Sequence, residues 1–398
     1  MVTKADPNAD LIEMDGEFCV PVEARERRYI LDMTPLEAVE RGAWYVGRKL
    51  LLFLPAMFLF ILAIQLMKEG AGQVGPSIQG RFPFANGVST LGGGWLGAYF
   101  VLSGSPVAAT AISLFGAGTL TKLQTFTMLS GSRLGASFIV LLTGFLYAMR
   151  NRGRNRGESI GMGIQALTMT AIVYLPGMVI GYGLIRSGAL DGLNWHASGK
   201  MEAVLARVWG PAVDLVSRRV TGGWLFLVGL LTILASFKLL DHVLPHVDGD
   251  STVAKRGAWL RRPWAMFALG CLVATLTLSV SVALTVLVPL ASKGYLKRDE
   301  ALPYIMGANI TTLADTLVVA MLQRTPVAAQ IVLAEAIGVT IVSLFVLAFL
   351  YQPVKRSVIG LDDWLVASNR RLALFVGTLF LLPVTFLLSG LLVGTPAA

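Results

Sequence analysis

Charge is scarce in this sequence. Asp, Glu, Lys and Arg make up 14% of its 398 residues, against about 25% in an average soluble domain. That shortage excludes an ordinary soluble domain. With 55% hydrophobic residues and a mean hydropathy of +0.68, it implies a membrane protein that crosses the bilayer several times. Cysteine is nearly absent, with Cys19 in a polar stretch and Cys271 in an apolar one, so a disulfide between them is not expected. No Cys/His cluster has zinc spacing. His242 and His246 would share a helical face suited to a metal, but Pro245 and the loop-like composition around it argue against a formed site. No nucleophile–base pair stands out, which argues against an enzyme. The first 30 residues lack an apolar core, so no cleavable signal peptide is expected.

What is there is a series of apolar segments between basic loops. Residues 1–47 read as a polar, cytoplasmic or interfacial arm, with a capping box at Thr34-Pro35-Leu36-Glu37 opening a short interfacial helix over about 35–48. Residues 50–67 can span once and are ended by Lys68-Glu69-Gly70. Further spans are expected at 126–149 (interrupted near 130–133), 160–185, 223–240, 303–322, 330–351 and 372–393, with an amphipathic stretch at 201–216. The segments 88–118 and 264–292 are too long for one ordinary span. The first is broken by Gly104, Ser105 and Pro106; Pro inside a helix removes a backbone hydrogen bond. Both read as re-entrant hairpins of two half-helices. The +9 net charge, 33 basic against 24 acidic residues, reports cytoplasmic loops rather than nucleic-acid binding. Four arginines in seven residues at 150–156 give the strongest orientation signal. With the N-terminus cytoplasmic and neither hairpin crossing, the basic loops at 150–156, 255–262, 355–356 and 370–371 all face the cytoplasm, and the two hairpins enter from opposite sides.

The sequence also repeats itself. Residues 102–137 align without a gap on 278–313, an offset of 176. The identical pairs are Leu102/Leu278, Ser103/Ser279, Ser105/Ser281, Leu114/Leu290, Gly118/Gly294, Leu120/Leu296 and Gly131/Gly307. The expected fold is an all-α polytopic membrane protein with an inverted-topology repeat and two re-entrant helical hairpins. Its parts would be the arm at 1–47, repeat 1 at 48–159, a linking span and extracytoplasmic segment at 160–222, repeat 2 at 223–324, and C-terminal spans at 325–398.

Two hairpin tips meeting at midplane would gather Ser103, Ser105, Ser279 and Ser281. Half-helix N-termini expose unpaired N–H groups and a positive dipole end, which bind anions, while serine oxygens can also ligate Na⁺. The plain alternative is that each hydroxyl bonds back to its own helix. Gly307-Ala308-Asn309-Ile310-Thr311-Thr312, with Asp315, faces Gly131-Ser132-Arg133 in the alignment, so Asn309 and Arg133 are equivalent. Ionisable residues inside a span usually face a partner or a wet path. Arg133 is a candidate counter-charge for an anion, or a snorkelling side chain; Asp315 is a candidate Na⁺ ligand or proton carrier, or is bonded to Thr311 or Thr312. Glu335, near the start of its span, reads as interfacial. Gly177 and Gly181 read as helix-packing positions.

These residues resemble the sodium/phosphate cotransporters of the type II family, in its bacterial branch. Residues 58–70 (FLFILAIQLMKEG) look like that family's first-span signature, and the serine-bearing tip is followed by GANITT at 307–312. The resemblance covers about 50–322. In the family each tip reads Gln-Ser-Ser-Ser, and the tips together hold phosphate and sodium. Here Leu102 and Leu278 replace the glutamines, and Gly104 and Val280 the middle serines. The resemblance implies a secondary active transporter taking up inorganic phosphate or a similar small anion with Na⁺, by alternating access, in the inner membrane. The candidate anion-binding residues are Ser103, Gly104, Ser105, Ser279, Ser281, Arg133 and Asn309, of which the resemblance carries over the four serines and Asn309, while Gly104 and Arg133 depart from the family's pattern. The candidate Na⁺-binding residues are Ser103, Ser279, Asn309, Thr311 and Thr312, which the resemblance carries over, together with Asp315 from its place in a span. No cofactor is expected beyond Na⁺ as coupling ion; membrane lipid and a second copy of the chain are the other expected partners. The missing glutamines keep two rivals open: a same-fold transporter of another solute, and a non-transporting sensor or assembly protein.

Overall fold

The computed structural model describes residues 12–14, 17–19, 53–73, 85–150, 156–195, 199–243, 262–277, 280–292, 296–323 and 326–392. The chain divides into two units, Met1–Pro55 and Ala56–Ala398. The first holds an antiparallel strand pair, β1 (Ile12–Met14) and β2 (Glu17–Cys19), with Ile12 opposite Cys19 and Met14 opposite Glu17. The sequence between them, Asp15-Gly16, is the type favoured in two-residue hairpins. An all-helical reading did not anticipate this pair. The interfacial helix expected at 35–48 lies outside the described residues, as do the basic residues 151–155 and 244–261.

The other regular elements among the described residues are helices. The helices are α1 (Phe53–Gln73), α2 (Gly87–Val101), α3 (Ser105–Gly116), α4 (Lys122–Ala136), α5 (Phe138–Arg150), α6 (Arg156–Ser187), α7 (Gly199–Ser217), α8 (Gly222–Val243), α9 (Pro263–Thr277), α10 (Val280–Thr285), α11 (Leu287–Ser292), α12 (Arg298–Thr311), α13 (Leu313–Met321), α14 (Pro326–Phe345), α15 (Tyr351–Val366) and α16 (Asn369–Leu392). Among the described residues, seven helical stretches are long and apolar enough to cross a membrane. The fold is that of an all-α polytopic membrane protein, with Phe100, Val179, Trp224 and Phe349 among its outward-facing apolar side chains.

The over-long first segment breaks where the Gly-Ser-Pro sequence demands. Helix α2 is capped by Asn86, whose side chain accepts from the Val88 and Ser89 amides, and it ends at Leu102 with φ 56°. Helix α3 then begins at Ser105 with Pro106 in its first turn. At 15 and 12 residues neither helix reaches the roughly 20 residues that a crossing needs. Helices α9 and α10 flank the corresponding break, of which residues 278 and 279 lie outside the described set.

The offset of 176 is carried into the packing. Gly87 and Pro263, Val101 and Thr277, Gly116 and Ser292, and Lys122 and Arg298 are element ends separated by that number. A Cβ on Gly131 would meet the Leu91 carbonyl oxygen at 2.1 Å and the Trp95 nitrogen at 3.0 Å; one on Gly307 would meet Phe267 and Cys271 at the same two distances. Gly94 and Gly270 likewise abut the carbonyl oxygens of Met128 and Tyr304, both at 2.1 Å. Thus α2 on α4 and α9 on α12 are one helix-pair interface made twice, each through small residues that let backbones touch.

Helix α6 lies at the centre, packed against α4, α5, α12, α14 and α15. Its contact with α14 runs through Gly177, as the glycine spacing suggested: a Cβ on Gly338 would meet the Gly177 carbonyl oxygen at 2.3 Å. The main core gathers Trp95, Met162, Met169, Tyr174, Leu284 and Tyr304 around it.

Three expected boundaries are corrected. Helix α1 runs on through Lys68-Glu69-Gly70 to Gln73, with Gly70 seated against the Phe226 backbone of α8. The interruption placed at 130–133 falls instead at Ser137, because Gly131 and Arg133 are held in regular helix by their contacts. Residues 352–366, expected as a loop, are helical: α14 passes through a π-helical turn at Val346–Leu350 into α15. Arg298 fastens that helix to α12, lying 3.0 Å from both Asp362 and Asp363. Gln165 of α6 donates to Asp362 at 2.8 Å.

Candidate functional site

The first tip is set by backbone geometry. Leu102 is the one non-glycine residue with positive φ among those described, a conformation that costs a branched side chain about 1–2 kcal/mol. Gly104 is pressed onto α4: a Cβ there would lie 2.7 Å from the Ser132 carbonyl oxygen. Ser103 is half-buried and Ser105 buried. The second tip touches the first, since the Ser281 hydroxyl donates to the Leu102 carbonyl at 3.1 Å. Ser279 lies outside the described residues.

Below the first tip, α4 projects Arg133 into the interior, where it is 2% exposed. One guanidinium nitrogen donates to Ser105 at 3.5 Å. The other lies 3.3 Å from Asp315 Oδ1 and also donates to Thr316. Arg133 therefore does not snorkel; it ties the start of α3 to α13. Asp315, for its part, is held by Arg133 and Thr316 rather than by Thr311 or Thr312. A buried ion pair is tolerable only when its remaining polar atoms are satisfied. Here Arg133 Nε and Asp315 Oδ2 are buried without a protein partner.

The equivalent residue in the second repeat, Asn309, is also 2% exposed. Its amide donates to Thr170 at 3.0 Å, and Thr170 pairs with Ser137 at 2.6 Å. Its carbonyl accepts from the Tyr174 hydroxyl at 2.8 Å. Thr312 donates to the Asn309 carbonyl, while Thr311 turns towards α9 and donates to Cys271. Arg133, Asp315 and Glu335 all lie within electrostatic reach of Tyr174.

Glu335 overturns its interfacial reading. Helix α14 begins at Pro326, so Glu335 sits more than two turns in, and it is fully buried. Ser130 of α4 lies 2.5 Å from its Oε2, and its Oε1 has no protein partner. Sequence reasoning also missed Thr316, Tyr174 and Thr170. Each is one polar group in an apolar run, and only the contact with another helix distinguishes it.

Residues 232–367 match the family model described as Na⁺/Pi-cotransporter. Through this segment the chain is similar to that family. The match starts in α8, takes in α9 to α13, and continues through α14 and α15, so it extends beyond residue 322 and includes both Asp315 and Glu335. The sodium-dependent phosphate transport protein 2A of Oryctolagus cuniculus is 36% identical over 104 residues, 26% of this chain and 15% of that protein. The protein of the same name from Rattus norvegicus is 34% identical over 100 residues, 25% of this chain and 15% of its own length. The chain thus aligns with about a seventh of these curated relatives. No solved structure matches. The His242–His246 pair falls outside the described side chains.

Proposed function

We propose that this protein is a secondary active transporter coupling uptake of inorganic phosphate, or a similar small anion, to Na⁺. The observation that carries the reading is the hydrogen bond from Ser281 to the Leu102 carbonyl, because it joins the serine-bearing breaks of two halves that pack alike. The match of residues 232–367 to the cotransporter family supplies the transported species.

In this proposal the two helix breaks are re-entrant tips entering from opposite faces, and the halves form an inverted repeat. The repeats comprise residues 48–159 and 223–324, joined by 160–222, preceded by the arm at 1–47 and followed by spans at 325–398. The anion sits at the tips, against Ser103, Gly104, Ser105, Ser279 and Ser281, with Arg133 as counter-charge and Asn309 in the wall. The first-turn amides of α3 point there, and a helix N-terminus favours an anion. Na⁺ is ligated by Ser103, Ser279, Asn309, Thr311, Thr312 and Asp315. Alternating access then requires the joined tips to face first one side and then the other. In this proposal the N-terminus is cytoplasmic, as the pattern of basic residues favours, and the protein sits in the inner membrane, in contact with lipid and able to pair with a second copy.

Leu102 favours one second reading, a same-fold transporter of a less polar solute. Its apolar side chain stands at the tip, 37% exposed, where an amide would donate to an oxyanion.

Radiolabelled phosphate uptake into proteoliposomes, with an inward Na⁺ or K⁺ gradient, tests the proposal. The wild type should show Na⁺-stimulated uptake. Ser105→Ala should reduce it by about tenfold or more, as expected for losing a hydrogen bond to a charged ligand, and Ser281→Ala should reduce it by removing the bond to the Leu102 carbonyl that joins the two breaks. Absence of Na⁺ stimulation, or wild-type uptake in both variants, refutes it; uptake of a different solute by the same preparation would favour the second reading.

A further inference from the structure

The last turns of α5 and α15 and the first turns of α6 and α16 enclose a cleft of about 750 Å³. Its wall is made by Phe145, Ile160, Val366, Leu372 and Val376, and among the described residues Asn369 is the one polar side chain that lines it. That volume is within the usual range of ligand pockets, roughly 300–1,000 Å³. The lining does not suit water, because an ordered buried water needs about two to four polar partners. It suits a hydrocarbon chain.

Helix α16 accounts for the opening. Farther along, it packs closely on α2, where a Cβ on Gly92 would meet the Leu387 nitrogen at 2.4 Å. Beside the cleft, a Cβ on Gly377 would meet nothing within 4 Å. The helix is thus close-packed at one end and leaves room at the other.

The mouth of the cleft is basic. Arg370 and Arg371 directly follow Asn369, both are exposed, and they are the only charged residues of α16. Their position runs against helix electrostatics. The first turn carries the positive end of the helix dipole and favours carboxylates, yet α16 has no acidic residue there. Arg371 donates to the Trp364 carbonyl at 3.2 Å and lies over the Trp364 ring, 4.7 Å from its centroid; Trp and Arg together are anchors of the bilayer interface. Arg370 pairs with no carboxylate among the described residues. The nearby acids are engaged elsewhere. Asp362 and Asp363 face Arg298, and Glu158 lines a different cavity with Lys297 and Arg298.

We propose that this cleft binds one anionic phospholipid, its acyl chain between α5, α6 and α16 and its phosphate at Arg370 and Arg371. Basic pockets between membrane helices recognise such headgroups. A zwitterionic lipid offers the same chain without net charge, so the two arginines set the preference. The site rests on the membrane-spanning fold and is independent of the transport reading.

Photolabelling of the full chain tests this. The protein is reconstituted in phosphatidylcholine vesicles with a trace of phosphatidylglycerol that carries a photoreactive group midway along one acyl chain, and the labelled peptides are mapped by mass spectrometry. Label should concentrate at residues 145–160 and 369–377 over the lipid-facing side of α8 at 224–231. The same probe built on phosphatidylcholine should label the cleft about tenfold less or weaker still. Arg370→Gln with Arg371→Gln should lower phosphatidylglycerol labelling by about fivefold for each arginine lost. Ala373 is exposed and lines the cleft, so Ala373→Trp fills it from outside the core and should abolish labelling at 145–160. Excess inorganic phosphate should leave labelling unchanged. Label spread evenly over the cleft and α8, equal labelling by the two probes, or indifference to either substitution overturns the proposal. Displacement by inorganic phosphate also overturns it, in favour of a small-anion site. The comparison of the two probes on the wild type is decisive even where a variant is unstable.

Discussion

Arg133 offers the sharpest test of the buried cluster. Substitution by Met keeps the length and removes the charge, leaving Asp315 with Thr316 as its side-chain partner in a site where both members of the pair are almost inaccessible, at 1% and 7% side-chain exposure. Removing one partner of a buried ion pair costs about 3–5 kcal/mol, because the other charge stays desolvated. Removing both charges together is often near neutral. Asp315→Leu alone should cost a similar amount, and Arg133→Met with Asp315→Leu should recover most of the loss. The expected coupling energy is therefore at least about 2 kcal/mol, above the roughly 0.5 kcal/mol within which independent sites add. Equilibrium unfolding of the four proteins in mixed micelles, followed by tryptophan fluorescence, measures the cycle. Additivity within that margin would mean that the 3.3 Å contact contributes no net stability, and with it would go the claim that Arg133 joins α3 to α13.

The duplicated interface predicts that Gly131→Ala and Gly307→Ala behave alike. Each places a Cβ 2.1 Å from a carbonyl oxygen, and each should lower stability by about 1–3 kcal/mol through overpacking, read as a fall in unfolding midpoint; tolerance of one and not the other would contradict a shared geometry. Asp362→Leu leaves Arg298 with Asp363 alone and Gln165 without its acceptor, and should selectively weaken hydrogen-exchange protection across α15 while leaving α4 and α12 protected. Uniform loss over all three helices would count against a local latch.

Composition and periodicity were enough for the membrane class and for most helices. The 176-residue offset was visible in seven scattered identities, and the packing adds pairs that letters could not match: Leu91 with Phe267 and Trp95 with Cys271 differ in side chain but offer the same backbone atoms to a glycine. The first tip was readable because Gly104 and Pro106 punctuate the helix chemically. The Ser137 break was not, since serine is common inside helices and nothing local distinguishes it from Ser130 or Ser132. Glu335 was misplaced for a related reason. Its depth depends on where α14 begins and on which helices surround it, and neither is encoded within one turn of the residue. The Arg133–Asp315 pair was half seen: each was recognised as unusual in a span, but their partnership is a fact of tertiary structure.

The π-helical turn at Val346–Leu350 carries a mechanical implication. Helix α14 buries Glu335, and α15 presents Asp362 to Arg298 and Gln165; one continuous rod must satisfy both appointments. Each residue added to or removed from a helix turns everything beyond it by about 100°. Excising a single amino acid from the wide turn would leave Glu335 in place and swing Asp362 away from both of its partners, so the irregular winding works as a phase adjuster between two ends of one shaft.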